Sequence, residues 1–128
     1  MEKETPSEIA NLEKLQSILD EIKEKGDLTG AILSYGDDEL IVENLNKEFD
    51  SKTFSAMCAS IIGGAEGLGQ TIGDRVFRKI ITELEDYTMI MMGCGKQASL
   101  ALIIPKTSTG GTIIDNLEEY CNKIKALI

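Results

Sequence analysis

The stretch from Asp50 to Ile72 constrains this chain most, because it reads as one long helix that contains four glycines. At 100° per residue, its large apolar residues fall on one stripe, which we expect to face the core. A stripe of small residues lies further round the helix, and a polar strip fills the sector that remains. The core stripe is Phe54, Met57, Cys58, Ile61, Ala65, Leu68 and Ile72, the small stripe is Ala56, Ser60, Gly63 and Gly67, and the polar strip is Ser55, Glu66 and Gln70.

The free-energy cost of four glycines in one helix should be offset by a gain in packing or by another structural role. Inside a helix, Gly63, Gly64, Gly67 and Gly69 together cost about 3–4 kcal/mol relative to alanine, against a typical domain stability of about 5–15 kcal/mol. We expect the gain to be close packing of a second helix against the small stripe. One alternative is a phosphate-binding loop that breaks the helix at Gly63-Gly64, although the stretch matches neither GxGxxG nor GxxxxGK[ST]. Another is a helix that frays into a C-terminal cap, to which we expect Gly69 to contribute.

Composition limits the classes of function. The chain has 128 residues, which suits a single domain over 1–128, and a net charge of −9. This charge argues against binding to nucleic acid or an anionic membrane, and it fits a protein partner with a basic surface or simple solubility. The sequence has no apolar run long enough for a membrane span, and its acidic beginning is unlike a secretory signal. Three widely spaced cysteines then suggest reduced thiols in the cytoplasm.

The order of predicted elements is α-β-β-α-β-β-β-α. The first helix begins at a capping box, Thr5-Pro6-Ser7-Glu8, and stops at Gly26. The last helix carries its own apolar stripe and a possible capping box at Thr112 and Asp115. This order predicts an α/β fold of the α+β type, with a five-stranded, mostly antiparallel sheet sandwiched by helices. The predicted strands are Gly30–Tyr35, Glu39–Leu45, Arg75–Glu83, Thr88–Met92 and Ser99–Ile104, and the last apolar stripe is Ile113, Leu117, Tyr120, Cys121, Ile124 and Leu127 with Ile128.

The residue types give little support to catalysis. The chain contains no histidine, which removes histidine-dependent triads and most zinc chemistry, so we predict no catalytic, cofactor-binding or metal-binding residues. Cys94, between two glycines, is either a small residue in a tight turn or a reactive thiol, whereas Cys58 and Cys121 fall on apolar stripes. The run from Met89 to Met92 predicts a buried strand rather than a ligand surface.

These patterns together resemble a known family. The first hairpin GAILSYGDDELIVENL, the small-residue helix SAMCASIIGGAEGLGQ and the closing LALIIPKTSTGGTIIDNL are similar to the Roadblock/LC7 domain over essentially the whole chain. One departure is the turn Gly36-Asp37-Asp38, where the family often has Asp-Gly. The resemblance implies the same sandwich fold, with the first and last helices on one face of the sheet and the central helix on the other.

The resemblance also implies a function. Family members form homodimers or heterodimers through the central helix and the strand after it, so the partner would be a second copy or a paralogous Roadblock protein. They act without catalysis, as scaffold subunits or as modules that bind or regulate Ras-like small GTPases. The implied dimer interface is Ala56, Ser60, Gly63, Gly67, Arg75, Phe77, Lys79 and Ile81, with Ser55, Glu66 and Gln70 left to contact a third protein.

Several alternatives stay open. Sandwiches of this kind also occur as PAS-like or GAF-like sensors of small ligands, which the glycine-rich turn and methionine-rich strand would suit. Another hypothesis is an enzyme that uses the Cys94 thiol. The only arginines, Arg75 and Arg78, lie in the proposed dimer strand. We therefore expect them to pair with carboxylates across the dimer rather than to supply an arginine finger to a GTPase.

Overall fold

The computed structural model describes residues 6–35, 39–94, 98–107 and 115–128. These residues form three helices and five strands in the predicted order. The predicted capping pairs that involve Thr5 and Thr112, and the turn at 36–38, lie outside the described residues. The elements are α1 Pro6–Gly26, β1 Gly30–Tyr35, β2 Glu39–Glu43, α2 Ser51–Thr71, β3 Lys79–Glu83, β4 Tyr87–Gly93, β5 Ala98–Pro105 and α3 Leu117–Lys125.

The five strands make one antiparallel sheet in the order β2-β1-β5-β4-β3. β5 is therefore central although it is the last strand in the chain, and β2 and β3 are the edges. Because β5 is covered on both faces, its residues from Leu100 to Ile104 are all buried and all apolar. The predicted α+β sandwich is confirmed.

The two faces of the sheet are covered by different helices. On one face, α1 and α3 pack against alternate strand residues, among them Leu33, Ile90 and Leu102. On the other face, α2 packs through Cys58 against a smaller cluster that includes Ile32. The side chains of α3 that were predicted to face the core, from Leu117 to Ile124 at helical spacing, are buried.

The helix α2 is continuous from Ser51 to Thr71, so the alternative of a phosphate loop at Gly63-Gly64 is wrong. The Asp50 side chain caps its first turn by accepting from the backbone N–H groups of Lys52 and Thr53. The helix ends through Gly73, whose φ of 97° is the left-handed conformation that glycine adopts readily.

Gly69 is needed for a close backbone approach at the end of α2. Its carbonyl accepts from the N–H of Arg75 at 2.8 Å, and a Cβ at this position would overlap the carbonyl oxygen of Arg75. This return of the chain delays the next strand, so β3 begins at Lys79 and not at the predicted Arg75.

The predicted core stripe of α2 is wrong in its phase. Cys58 is buried, but Met57 and Leu68 are 60% and 69% exposed, and Ile61 and Ile72 are exposed as well. Relative to the predicted stripe, the face of α2 that meets the sheet is rotated toward Ser55, Ile62 and Gly69. Ile62 packs on the sheet, and Gly69 contacts the returning chain at Arg75. The apolar sector of this helix is wider than the sheet contact, and helical periodicity alone does not say which part of it is covered.

The expectation of three reduced thiols is also wrong. Cys94 and Cys121 are joined by a disulfide, with their Cα atoms 5.3 Å apart, which ties the end of β4 to α3. Cys58 is the free cysteine, and burial raises the pKa of its thiol to about 11.

Candidate protein interaction site

The face of the sheet that carries α2 is only partly covered. Five strands about 4.8 Å apart span roughly 20 Å, about twice the diameter of one helix. α2 packs mainly over β1 and β2. On the uncovered side of this face, Ile80, Tyr87 and Met89 are only half-buried, whereas Met91 in the same cluster is fully buried.

The exposed part of α2 is apolar on one side. Met57, Ile61, Leu68 and Ile72 stand at helical spacing and are all exposed. An apolar strip of this kind on one helix is a mark of an interaction surface rather than of scattered exposed residues. The helical spacing of these residues predicted that they face the core, although the unusually wide apolar sector of the helix indicates that one helix contact would leave part of it uncovered.

The predicted small stripe adjoins this apolar strip and is also exposed. A Cβ added at Gly63 or Gly67 would meet nothing within 4 Å, so no part of the described chain uses the space that these glycines leave open. Ser60 donates its hydroxyl hydrogen bond to the carbonyl of Ala56 at 3.3 Å within the helix. The backbone of α2 is therefore open to close approach from outside.

The strand β3 is an edge of the sheet, as its alternating charged residues predicted. The N–H of Leu84, just after the strand, donates to the carbonyl of Tyr87 at 2.7 Å. By the alternation of an antiparallel ladder, the backbone groups of Thr82 and Ile80 also point to β4. Those of Ile81 and Glu83 then point outward, where another strand can add.

The predicted interface residues do not share one face. Phe77 and Lys79 line a groove with Leu117 of α3. Ile81 is two residues after Lys79 in β3, so its side chain lies on the same face of the sheet as that of Lys79. Ile80 belongs instead to the cluster beneath α2. The predicted helix residues thus lie on one side of the sheet, and the side chains of Phe77, Lys79 and Ile81 lie on the other. Arg75 precedes β3 and contacts the end of α2. The element that both sides share is the backbone edge of β3.

The arginines and the polar strip are also placed by the structure. Arg78 pairs with Glu118 of α3 at 3.7 Å within the chain, and both side chains are largely exposed. Glu66 and Gln70 are exposed, but Ser55 is fully buried, and its hydroxyl makes no hydrogen bond in the described structure. Ser55 is therefore excluded from an exposed polar strip, because it lies on the same helical face as Cys58.

Other features bear on the alternatives. An open groove of about 870 Å³ lies between α3 and the segment before β3, on the outside of the fold. It is lined by apolar, basic and acidic side chains together, whereas a ligand sensor would use a more enclosed cavity. Among the described residues, no group of three or more acidic or cysteine side chains could hold a metal ion, and no helix is long and apolar enough to cross a membrane.

Comparisons with known proteins agree on the fold. No protein-family model and no curated protein matches the sequence. Among solved structures, MglB of Myxococcus xanthus superposes with a TM-score of 0.87 at 15% identity, covering 100% of this chain and 96% of that one. An MglB described as having a tetrameric arrangement gives 0.82 at 16% identity, covering 92% and 90%. A Roadblock/LC7 domain from Streptomyces avermitilis gives 0.77 at 13% identity, covering 87% and 94%. The chain has a Roadblock/LC7-like fold.

Proposed function

We propose that this chain is a non-enzymatic interaction module that pairs with a second copy or a paralogous chain and then binds or regulates a Ras-like small GTPase, or serves as a scaffold subunit. The observation that carries this proposal is the half-covered sheet face, with an apolar and glycine-rich helix surface beside it. We place this activity in the cytoplasm. The fold and the similarity to MglB structures support a regulatory role.

The pairing follows from two unsatisfied surfaces. The outward backbone groups of Ile81 and Glu83 can join the same groups of a second β3 and extend the sheet. α2 ends beside the segment before β3, where Gly69 contacts Arg75, so this addition brings the C-terminal halves of two α2 helices toward each other and lets their small stripes meet. The apolar strip around Leu68 and the half-buried Met89 then lose contact with water. The tetrameric arrangement named for one MglB structure supports self-association of this fold.

A substitution at Gly67 tests the pairing without a penalty in the monomer. Because a Cβ at Gly67 meets nothing, Gly67→Leu leaves the fold intact and improves helix propensity. We expect light scattering to give about twice the monomer mass for the wild type at micromolar concentration, and a shift toward monomer for Gly67→Leu and Gly63→Leu. Lys14→Leu on the exposed side of α1 is the control and should stay dimeric. A monomeric wild type, or two dimeric glycine variants, would contradict the pairing.

The GTPase is the proposed third protein. A net charge of −9 favours a partner with a basic surface, and the exposed Glu66 and Gln70 are our candidate contacts on α2. We expect a purified Ras-like GTPase to bind with different affinity in its GTP and GDP states, and Glu66→Lys to weaken that binding while the dimer persists. Equal binding of both nucleotide states would rule out regulation and leave only a scaffold role.

Substitution of the two arginines distinguishes between two ways in which the module could regulate GTP hydrolysis. Arg78 is already paired with Glu118, and the backbone of Arg75 is held against Gly69. We propose that the module acts by positioning the GTPase's own loops. Arg75→Ala and Arg78→Ala should therefore keep any effect on the GTP hydrolysis rate. If either residue were an arginine finger, its substitution would instead lower the GTP hydrolysis rate by on the order of 10³-fold.

A further inference from the structure

The Cys94–Cys121 disulfide lies beside the open groove, but only one of its sulfurs belongs to a residue that lines it. Cys121 is only 2% exposed but forms part of the groove wall together with Leu117 and Phe77, whereas Cys94 is fully buried and does not line the groove. A small reagent in the groove is therefore nearer to the sulfur of Cys121 than to that of Cys94, and it reaches this sulfur when α3 opens locally. The groove also carries three basic and two acidic side chains, which favours an anionic reagent more than the rest of this acidic chain does.

The disulfide-bonded pair has an ordinary backbone separation and an acceptor near one of its sulfurs. The Cα atoms of the pair are 5.3 Å apart, which is an ordinary separation for a disulfide. In the disulfide, the Sγ of Cys121 lies 3.3 Å from the carbonyl oxygen of Gly93, so this oxygen is positioned to accept from the Cys121 thiol after reduction. Reduction therefore leaves the Cys121 thiol beside an acceptor and the Cys94 thiol fully buried.

We infer that Cys94–Cys121 is a reversible redox modification site, which exchanges with small disulfides and thiols through the groove at the sulfur of Cys121. This site is independent of the proposed GTPase-related function. Cys58 has no part in it, since that thiol is buried on the α2 side of the sheet.

The exchange balances with a low-molecular-weight disulfide, RSSR, as the oxidant. The Cys121 thiolate attacks one sulfur of RSSR, breaks its S–S bond and releases the first thiol as RSH after protonation. The Cys94 thiolate then attacks the Cys121 sulfur and releases the second RSH. The protein loses two hydrogens and RSSR gains them. In the reverse direction, RS⁻ attacks the Cys121 sulfur and Cys94 leaves as the thiolate. A second RS⁻ then attacks the outer sulfur of the mixed disulfide, forms RSSR and releases Cys121 as the thiolate.

The redox state should control how firmly α3 is held. This helix has nine residues, and helices shorter than about 12 residues are marginal without tertiary contacts. The disulfide is a covalent tie between α3 and the end of β4, and the Arg78–Glu118 pair beside it is exposed and weak. Reduction should therefore loosen α3 and leave α1 unchanged.

The test uses the reduced full-length protein and oxidised glutathione, with samples quenched by acid and mapped by peptide mass spectrometry. We expect a transient glutathione adduct on Cys121, followed by the intramolecular disulfide, with Cys58 unmodified. Cys94→Ser should accumulate the adduct on Cys121, whereas Cys121→Ser should leave Cys94 unmodified over the same period. An adduct that appears first on Cys94 would overturn the route, and the wild-type time course decides this even if a variant fails to fold.

Reversibility and its consequence are measured on the wild type. Millimolar dithiothreitol without denaturant should reduce the pair, and a disulfide that persists under these conditions would overturn the inference. Amide hydrogen exchange in Leu117–Lys125 should rise about tenfold or more on reduction, with no change in α1 between Leu15 and Ile22. Unchanged exchange in α3 would show that the bond does not control its docking.

Discussion

At the residue scale, glycine has two opposite uses within α2. Gly69 lacks a Cβ because the carbonyl of Arg75 occupies that space. Gly63 and Gly67 face open space, so nothing within the described chain requires them to be glycine. The fold of one chain explains the first glycine, and it places no such requirement on the other two.

This contrast predicts opposite effects of the same substitution. Gly69→Ala should lower the free energy of unfolding by about 1–3 kcal/mol, because the added methyl group forces the returning chain away. Gly63→Ala should raise it by about 0.5–1 kcal/mol in the monomer, through helix propensity alone. Urea unfolding at concentrations low enough to keep the protein monomeric measures both. Two changes of the same sign would contradict this assignment.

Asn44 links α1 to the end of the first hairpin. Its side-chain oxygen accepts from the N–H of Ala31 at 2.7 Å, and its amide nitrogen donates to the carbonyl of Leu19 at 2.8 Å. Asn44→Ala should therefore destabilise the fold by about 2 kcal/mol or more, since Ala31 loses a partner in a buried position. Asn46→Ala, which removes only an exposed contact to Lys23, is the matched control and should stay within about 0.5 kcal/mol in the same urea titration.

The buried thiol of Cys58 predicts a dependence of stability on pH. Burial raises its pKa to about 11 in the folded state, from an ordinary value of 9.0. As the pH rises from 9 to 11, the unfolded chain loses this proton first, so the free energy of unfolding falls over that window. Cys58→Ser should remove this part of the pH dependence, with both proteins kept oxidised so that Cys94 and Cys121 do not titrate. Parallel pH profiles for the two proteins would contradict the assignment.

At the element scale, α2 shows where the sequence was informative and where it was not. Its boundaries and its Asp50 cap follow from local chemistry, which sequence contains. The rotation of α2 about its axis does not follow from local chemistry, because Met57 and Cys58 are neighbours and both are apolar. The tertiary contact between Gly69 and the returning chain selects Cys58 as the one that faces the sheet. The same contact displaced the start of β3, and the pairing of Cys94 with Cys121 depends on a spatial proximity that their spacing in the sequence does not reveal.

The edge strand β3 carries a prediction of its own. The outward N–H groups of Ile81 and Glu83 should exchange rapidly with solvent in the monomer and slowly when a second β3 pairs with them. Hydrogen exchange of the wild type at low and high concentration should show protection of these two amides only at high concentration. The amide of Thr82, which points to β4, is the internal reference. Equal exchange of Ile81 at both concentrations would place the dimer contact elsewhere.

At the scale of the whole molecule, the two faces of the sheet differ in how completely they are covered. Two helices cover one face and a single helix covers the other, so the uncovered area is a property of the architecture rather than of any residue. The order of elements and the whole-chain resemblance predicted this architecture. The outline of the exposed apolar area became visible only when the burial of Leu68, Ile72 and their neighbours was known.

Net charge adds a prediction about pairing. Two chains that each carry −9 repel one another, whereas the proposed contact surface is apolar. Raising the ionic strength from about 0.01 to 0.1 M shortens the Debye length from about 30 to 10 Å, which should tighten the homodimer several-fold. Sedimentation equilibrium at the two salt concentrations measures the dimer Kd. A Kd that rises with salt would indicate that ion pairs, and not apolar contacts, hold the dimer together.

The central position of β5 has a consequence for how the chain acquires its structure. Before residues 98–105 are available, β1–β2 and β3–β4 are two separate hairpins that share no hydrogen bond, and each exposes the strand edge that β5 later fills. Completion of the sheet therefore depends on contacts distant in sequence, which form slowly. A chain interrupted before Ala98 would present two unpaired inner edges, and such edges invite strand exchange between molecules.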